Sequence, residues 1–182
     1  MTGSFGSTLR LGTLGLLGLL LTACRPAPPP RWATGGATLI LPSARWHRDG
    51  DVIEIKPSGE ILEDGDVIFV VDRVGRVVDE DHDPVALLLP NGALAGTEAV
   101  DLGQVGRSNA SPPTRAFAWV SLRGDGVVLR FDADGERSAD GHWEGCTGSA
   151  LRTCTLVTHL IALREYGRRP TTSVGIGIGV GF

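Results

Sequence analysis

Short runs of alternating apolar residues, each preceded by a turn sequence, dominate the middle of this chain. The clearest case is an internal repeat, in which Asp-Gly-Asp-Val-Ile-Glu-Ile at residues 49–55 is followed fifteen residues later by Asp-Gly-Asp-Val-Ile-Phe-Val at residues 64–70. Asp-Gly before an alternating β-branched run is a strong hairpin signal, because glycine adopts the positive φ that tight turns require. The repeat therefore predicts antiparallel strands joined by tight turns.

The same pattern continues more loosely along the chain. Further strand signals lie at residues 38–41, 74–78, 85–89, 93–95, 100–105, 116–122 and 127–131. Residues 106–113 are rich in proline and small polar residues, which favours an exposed loop. We therefore expect a mainly β fold of about eight or more short strands, arranged as an antiparallel meander, a β-sandwich or a barrel.

A helical period appears only after Gly148. One apolar stripe, with leucines beside it, consists of Ala150, Cys154, Val157 and Ile161. This spacing predicts one C-terminal α-helix, over about residues 149–166, packed by one face on the sheet. Thr147 or Ser149 can cap its start, and Gly167 favours its end. His159 falls between the stripes, where a packing or surface role is expected.

The chain begins with a segment typical of an export signal. Arg10 precedes an apolar run from Leu11, and prolines from Pro26 onward stop any helix soon after Cys24. The run is shorter than the ~20 apolar residues that a membrane-spanning helix needs. We therefore expect residues 1–23 to be a signal peptide that is removed from the mature protein.

The end of this segment resembles the lipobox of bacterial lipoproteins. Its four residues are Leu21, Thr22, Ala23 and Cys24. The resemblance implies that Cys24 receives a diacylglycerol and a further acyl chain such as palmitate, after cleavage before it. Several acyl chains make a stable anchor. The implied partner is a membrane, and the implied location is the bacterial cell envelope. There the protein would be anchored in the outer membrane and would face either the periplasm or the cell surface.

After the signal peptide, composition divides the chain into three segments. Residues 24–36 are proline-rich and predict an extended tether. Residues 37–170 form the predicted β-rich globular domain, and residues 171–182 are a glycine-alternating tail or final strand. Such a tail also resembles the last strand of outer-membrane barrels, but one strand cannot span a membrane alone.

With Cys24 acylated, Cys146 and Cys154 remain as a pair. In an oxidising compartment a disulfide is the default expectation, and the C-x7-C spacing does not suit zinc. Two helical residues eight positions apart lie ~12 Å from each other, beyond disulfide reach. The predicted bridge therefore requires residues 146–148 to fold back outside the helix.

Charge and motifs limit the function further. The chain has 17 basic and 21 acidic residues; removal of residues 1–23 takes away one Arg, which leaves 17 − 1 = 16 against 21, or about −5. No basic stripe exists, so nucleic acid is not an expected partner. The familiar catalytic signatures are absent, and no cofactor is predicted.

Two acidic clusters are weak candidates for a hard cation, since carboxylate oxygens are its preferred ligands. They contain Asp79, Asp81 and Asp83, and Asp132 and Asp134. Neither matches a calcium loop, and solvated turns explain both. His142 lies between Asp140 and Glu144, where a surface turn is the favoured interpretation.

We therefore expect a non-enzymatic, lipid-anchored envelope protein whose domain binds or scaffolds an envelope protein or a cell-wall partner. One alternative is an envelope hydrolase or metal-dependent enzyme without a recognised motif, in which His142 or His82 would meet two carboxylates in a pocket. Another is an accessory component of an outer-membrane complex that uses residues 171–182 for assembly.

Overall fold

The computed structural model describes residues 26–113, 119–132 and 134–168. For Gly167 and Arg168 it describes the helical backbone only. It contains twelve strands and one α-helix. The strands are β1 Ala44–His47, β2 Val52–Ile55, β3 Glu60–Glu63, β4 Asp66–Val71, β5 Arg76–Val78, β6 Pro84–Leu88, β7 Ala93–Gly96, β8 Asp101–Val105, β9 Asn109–Ser111, β10 Val120–Leu122, β11 Val127–Phe131 and β12 Arg137–Glu144. The helix α1 spans Leu151–Arg168.

The strands form a closed antiparallel barrel. Each strand pairs with its neighbours in the sequence, and β1 also pairs with β12. At the closure Trp46 lies opposite Trp143 on one side and opposite Ile53 on the other. The two indole rings stack with their centroids 5.6 Å apart. The predicted mainly β meander is thus confirmed, and it closes as a barrel.

The turns divide into two sets at opposite ends of the barrel. Turns at residues 56–59, 72–75, 89–92, 106–108 and 123–126 lie at the end where α1 begins, which we call the helix-start end. Turns at residues 48–51, 64–65, 79–83, 97–100 and 132–136 lie at the other, the helix-finish end. The fifteen-residue repeat therefore corresponds to two strands and two turns, which return the chain to the same end.

The helix α1 fills the inside of the barrel. Its residues from Thr153 to Ala162 are all buried, including four polar side chains that are fully inaccessible, Thr153, Thr155, Thr158 and His159. Helical residues in unbroken succession point in every direction, so such burial requires surroundings on all sides. The predicted helix is confirmed, but it lies within the barrel and not along one face of a sheet.

Polar contacts fix the helix to the wall. The indole of Trp143 on β12 donates to the Thr158 hydroxyl at 2.9 Å, and the Thr153 hydroxyl donates to the carbonyl of Ile40 at 2.7 Å. These bonds satisfy groups that would be costly to bury unpaired. The helix differs from expectation at its ends: Thr147 makes no side-chain cap, and the helix continues through Gly167.

A disulfide joins Cys146 and Cys154, with their Cα atoms 6.1 Å apart. Thr147 is extended, with φ −126° and ψ 162°, so Cys146 lies outside the helix and folds back on it. The bridge joins the segment after β12 to the first turn of α1 at the helix-start end. This is the backbone arrangement that the spacing of the two cysteines required.

The segment before β1 lies against the barrel. The carbonyl of Ala27 accepts a hydrogen bond from the amide of Glu98 at 3.0 Å, and the amide of Gly36 donates to the carbonyl of Val74 at 2.7 Å. The chain then enters the helix-start end, where Ala37 is buried. Residues 26–36 are therefore not the free, extended spacer that we expected, because backbone hydrogen bonds hold both ends of the segment.

Several strand predictions need correction. Residues 38–41 are not a strand, although the amide of Leu39 bonds to the carbonyl of Arg73 at 3.0 Å. β1, β3 and β12 were not predicted, and β9 lies in the stretch expected to be a loop. The predicted strand at 116–122 is observed from Val120, and its first residues, the tail 171–182 and residues 1–24 lie outside the described part of the chain.

Candidate functional site

A polar hollow lies on the outer wall near the helix-start end of the barrel. Its volume is about 300 Å³, at the lower end of the range for small-molecule sites. The lining residues come from the β6–β7 turn, the end of β8 and β9: Asn91, Gly92, Gln104, Val105, Gly106, Asn109, Ala110 and Ser111. Charged and aromatic side chains do not contribute to this lining.

The β6–β7 turn forms one side of the hollow. The amide of Gly92 donates to the carbonyl of Leu89 at 2.9 Å, and the Asn91 Oδ1 accepts from the amide of Ala93 at 3.1 Å. Gly92 has φ +93°, a conformation that favours glycine. Its carbonyl accepts from the amide of Val105 at 2.7 Å, which ties the turn to β8.

The other side comes from β8, β9 and the turn between them. Gln104 lies opposite Ser111, and Val105 opposite Ala110. Because side chains alternate across a strand, the buried Val105 and Ala110 point into the barrel, whereas Gln104 and Asn109 are exposed on its outside. The hollow is thus lined by outward amide side chains and by the backbone between them.

The three carboxamide side chains of the hollow are the full set in this sequence. The 182 residues include two asparagines and one glutamine, Asn91, Asn109 and Gln104. They come from three elements that follow one another in the chain, and pairing of neighbouring strands brings them to one place. Turn chemistry explains Asn91, which bonds to its own turn. It does not apply to Gln104 and Asn109, which lie close together because β8 and β9 pair as one hairpin.

Two arginines lie close to this hollow in the structure. Arg107 adjoins the lining residue Gly106 and donates to the carbonyl of Gly148 at 3.3 Å. Arg152 donates to the carbonyls of Leu89 at 3.4 Å and Pro90 at 3.5 Å. Both guanidinium groups therefore bond to backbone carbonyls and fasten the turns around the hollow to the start of the helix.

The helix-finish end holds a network of ion pairs. Arg48 lies 2.5 Å from Glu165 and 3.4 Å from Asp140, while Arg130 lies 2.8 Å from Glu165 and also contacts Asp140. The guanidinium of Arg48 further lies 4.5 Å from the ring centroid of Trp46. The network joins α1 to β11, β12 and the β1–β2 turn.

This network shifts the pKa of two of its members. Burial favours the neutral form of Glu165, but hydrogen bonds and charges from Arg48 and Arg130 outweigh it, so the pKa of Glu165 is lowered. Burial likewise opposes the charge on Arg48, yet Glu165 and Asp140 hold its pKa above the usual value. Both groups therefore remain charged, and the network acts as a structural lock on the helix.

His159 is the one of the four histidines whose side chain the structure buries inside the barrel. Its Nδ1 accepts from the Trp119 indole at 2.8 Å, so its Nε2, 2.8 Å from the Leu102 carbonyl, carries the proton. Burial lowers its pKa to about 4 despite the hydrogen bond to Leu102. The imidazole is therefore neutral. Of the two roles expected for His159, packing or surface, the structure shows packing.

The two acidic clusters lie in turns at the helix-finish end. The carboxylate of Asp79 accepts from the amides of Asp81 at 3.1 Å and Asp83 at 2.9 Å. In the same way Asp132 accepts from the amide of Asp134 at 2.9 Å. Within the described residues no group of three or more His, Cys, Asp or Glu is placed to hold a metal. Backbone satisfaction explains why aspartate stands at these positions.

The remaining histidines are dispersed. His142 belongs to β12 and not to a surface turn, and its Nε2 lies 2.7 Å from the Asp125 carbonyl. His82 lies in the β5–β6 turn with φ +63°. Neither contributes to the hollow. The lipobox residues Leu21, Thr22, Ala23 and Cys24 lie outside the described part of the chain.

Sequence reasoning missed the hollow. Gln104 and Asn109 were included in a predicted strand and a predicted loop, and nothing in their spacing joins them to Asn91. A usable signal was the scarcity of carboxamides, since three in a chain of this length are few enough for each to merit a separate explanation.

Comparison with known proteins gave no match to any family model, curated protein or solved structure. In residues 26–113, 119–132 and 134–168, no helix has the length and apolarity needed to cross a membrane.

Proposed function

We propose that this protein is a lipid-anchored lipoprotein of the bacterial cell envelope whose barrel binds or scaffolds a partner without catalysing a reaction. The observation that carries the proposal is the division of the three cysteines. Cys146 and Cys154 are bonded to each other, which suits an oxidising compartment. The third, Cys24, ends the lipobox-like sequence of an export signal.

The start of the described chain supports a particular orientation. Ala27 is bonded to Glu98 at the helix-finish end, and Cys24 precedes it by three residues. At ~3.5 Å per residue, the two Cα atoms are separated by about 11 Å at most. An acylated Cys24 would therefore hold the helix-finish end next to the bilayer.

The acidic charge of this end opposes its insertion into the lipid, so the orientation rests on the position of Cys24 alone. The five described turns at the helix-finish end contain one arginine or lysine, Arg48. Their acidic residues are Asp49, Asp51, Asp64, Asp79, Glu80, Asp81, Asp83, Glu98, Asp132, Asp134 and Glu136. Carboxylates avoid an anionic lipid surface. The polar hollow, near the opposite end, would then face away from the membrane and towards a partner.

The anchor is tested by metabolic labelling with palmitate and by fractionation of cells that produce wild type or Cys24→Ser. We expect the label and the membrane association in wild type and their loss in Cys24→Ser. The matched control replaces both Cys146 and Cys154 by Ser and should keep the label, because Cys24 remains. Labelling of Cys24→Ser at the wild-type level would overturn the proposal.

A further inference from the structure

We propose that the hollow formed by Asn91, Gln104 and Asn109 binds a neutral sugar unit of a polysaccharide. This inference rests on the proposed binding function and adds the class of ligand. The three residues hold every carboxamide of the chain and line one hollow of about 300 Å³. A carboxamide offers two donors and one acceptor oxygen, which match the neighbouring hydroxyl groups of a sugar ring.

Two of the three amides are available for a ligand. The Asn91 oxygen is used by the amide of Ala93, which leaves its two N–H donors. Gln104 and Asn109 are exposed, and neither side chain bonds to another described residue. The hollow therefore presents donors and acceptors together, and its lining lacks the charged side chain that an ionic ligand would call for.

The glycines of the hollow allow close approach. A Cβ on Gly106 would lie 2.6 Å from the Asn109 Oδ1, and one on Gly92 would lie 3.1 Å from the Val105 carbonyl oxygen. The Asn109 amide therefore depends on the absence of a side chain at Gly106. The backbone around these glycines is already hydrogen-bonded, since Gly92 bonds to Leu89 and Val105 and the amide of Gly106 donates to the carbonyl of Asn109; the hollow therefore offers a ligand mainly its side-chain amides.

The fold favours a sugar over an extended peptide. Peptides in a β conformation commonly bind by adding a strand to a free sheet edge. Here β1 pairs with β12, so the barrel closes, and β8 and β9, which border the hollow, are paired on both sides. The ligand must bind through side chains and a concave surface, as a sugar ring does.

The test uses the full-length protein purified from membranes in detergent. Saturation-transfer NMR titrations with N-acetylglucosamine disaccharide, maltose and cellobiose measure sugar binding, and a tetra-alanine peptide represents the other occupant. We expect saturable binding of at least one disaccharide. Loss of the amide in Gln104→Ala or Asn109→Ala should weaken it about five- to tenfold, the effect of a lost hydrogen bond.

Two further variants separate the amide site from general surface effects. Gly106→Ala keeps all three amides but displaces that of Asn109, and should weaken binding comparably. Glu136→Gln adds an amide at the far end of the barrel and should leave binding unchanged. Absence of binding for all three disaccharides, equal affinity in the hollow variants, or binding of the peptide alone would overturn the inference. The acylation of the same preparation is measured by mass, so an acylated protein that binds no sugar contradicts this inference and not the anchor.

Discussion

Protonation of His159 should destabilise the barrel. The side chain is fully buried, and its pKa is lowered from 6.5 to about 4. The unfolded chain therefore binds a proton at a higher pH than the folded one, so stability is fully present above pH 6.5 and declines as the pH falls towards 4. Between pH 7.5 and pH 5 this linkage corresponds to a loss of about 2 kcal/mol in the free energy of unfolding.

Urea unfolding of wild type and His159→Gln, followed by tryptophan fluorescence at pH 7.5, 6 and 5, measures this loss. Glutamine does not titrate, and its amide offers both an acceptor and a donor for the bonds to Trp119 and Leu102, so the variant should lack this pH-dependent contribution. The comparison cancels the exposed histidines, which both proteins share. An equal pH dependence in the two proteins would refute the linkage to His159.

Three further changes probe the connections between the helix, the first segment and the barrel. Glu165→Gln leaves two partly buried arginines with a weaker partner and should cost about 1–2 kcal/mol in urea unfolding; an unchanged midpoint would contradict the proposed lock. Joint replacement of Cys146 and Cys154 by Ser should lower the free energy of unfolding by about 2–3 kcal/mol, and dithiothreitol should affect wild type but not this variant. In Gly36→Ala the new Cβ would lie 2.0 Å from the Leu88 carbonyl oxygen, so the segment must shift; its protease sensitivity should rise, and unchanged cleavage would argue against the packing.

The strands could be predicted where turn chemistry and alternation agree. Residues 49–55 and 64–70 show both, and β2 and β4 lie within or beside them. β12 was missed because its sequence, Arg-Ser-Ala-Asp-Gly-His-Trp-Glu, carries few apolar residues: most of it is exposed, and Trp143 alone is buried. A strand that contributes one side chain to the core leaves little periodic signal.

The helix was predictable as a helix but not in its position. Its stripe at Ala150, Cys154, Val157 and Ile161 implied one buried face, whereas in the structure Thr155, Thr158 and His159 are buried as well. Inside the barrel these polar groups bond to carbonyls and to indole nitrogens of the wall. Such partners come from strands far away in the sequence, so they follow from closure of the barrel.

The hollow depends on pairing between neighbouring strands and not on closure of the barrel, which β1 and β12 make. Asn91 lies in a turn that its own side chain stabilises. Gln104 and Asn109 come close to it only when β8 pairs with β9 and the β6–β7 turn is hydrogen-bonded to β8. Local sequence patterns do not encode that proximity. The anchor is the opposite case, because its four residues are contiguous and need no fold to be noticed.

The mass of the N-terminal peptide, from protein extracted from membranes and digested with protease, tests the central claim most directly. We expect the mature chain to begin at Cys24 and this peptide to carry a diacylglycerol and a further acyl chain. An unmodified Cys24, or a mature chain that keeps residues 1–23, would contradict it.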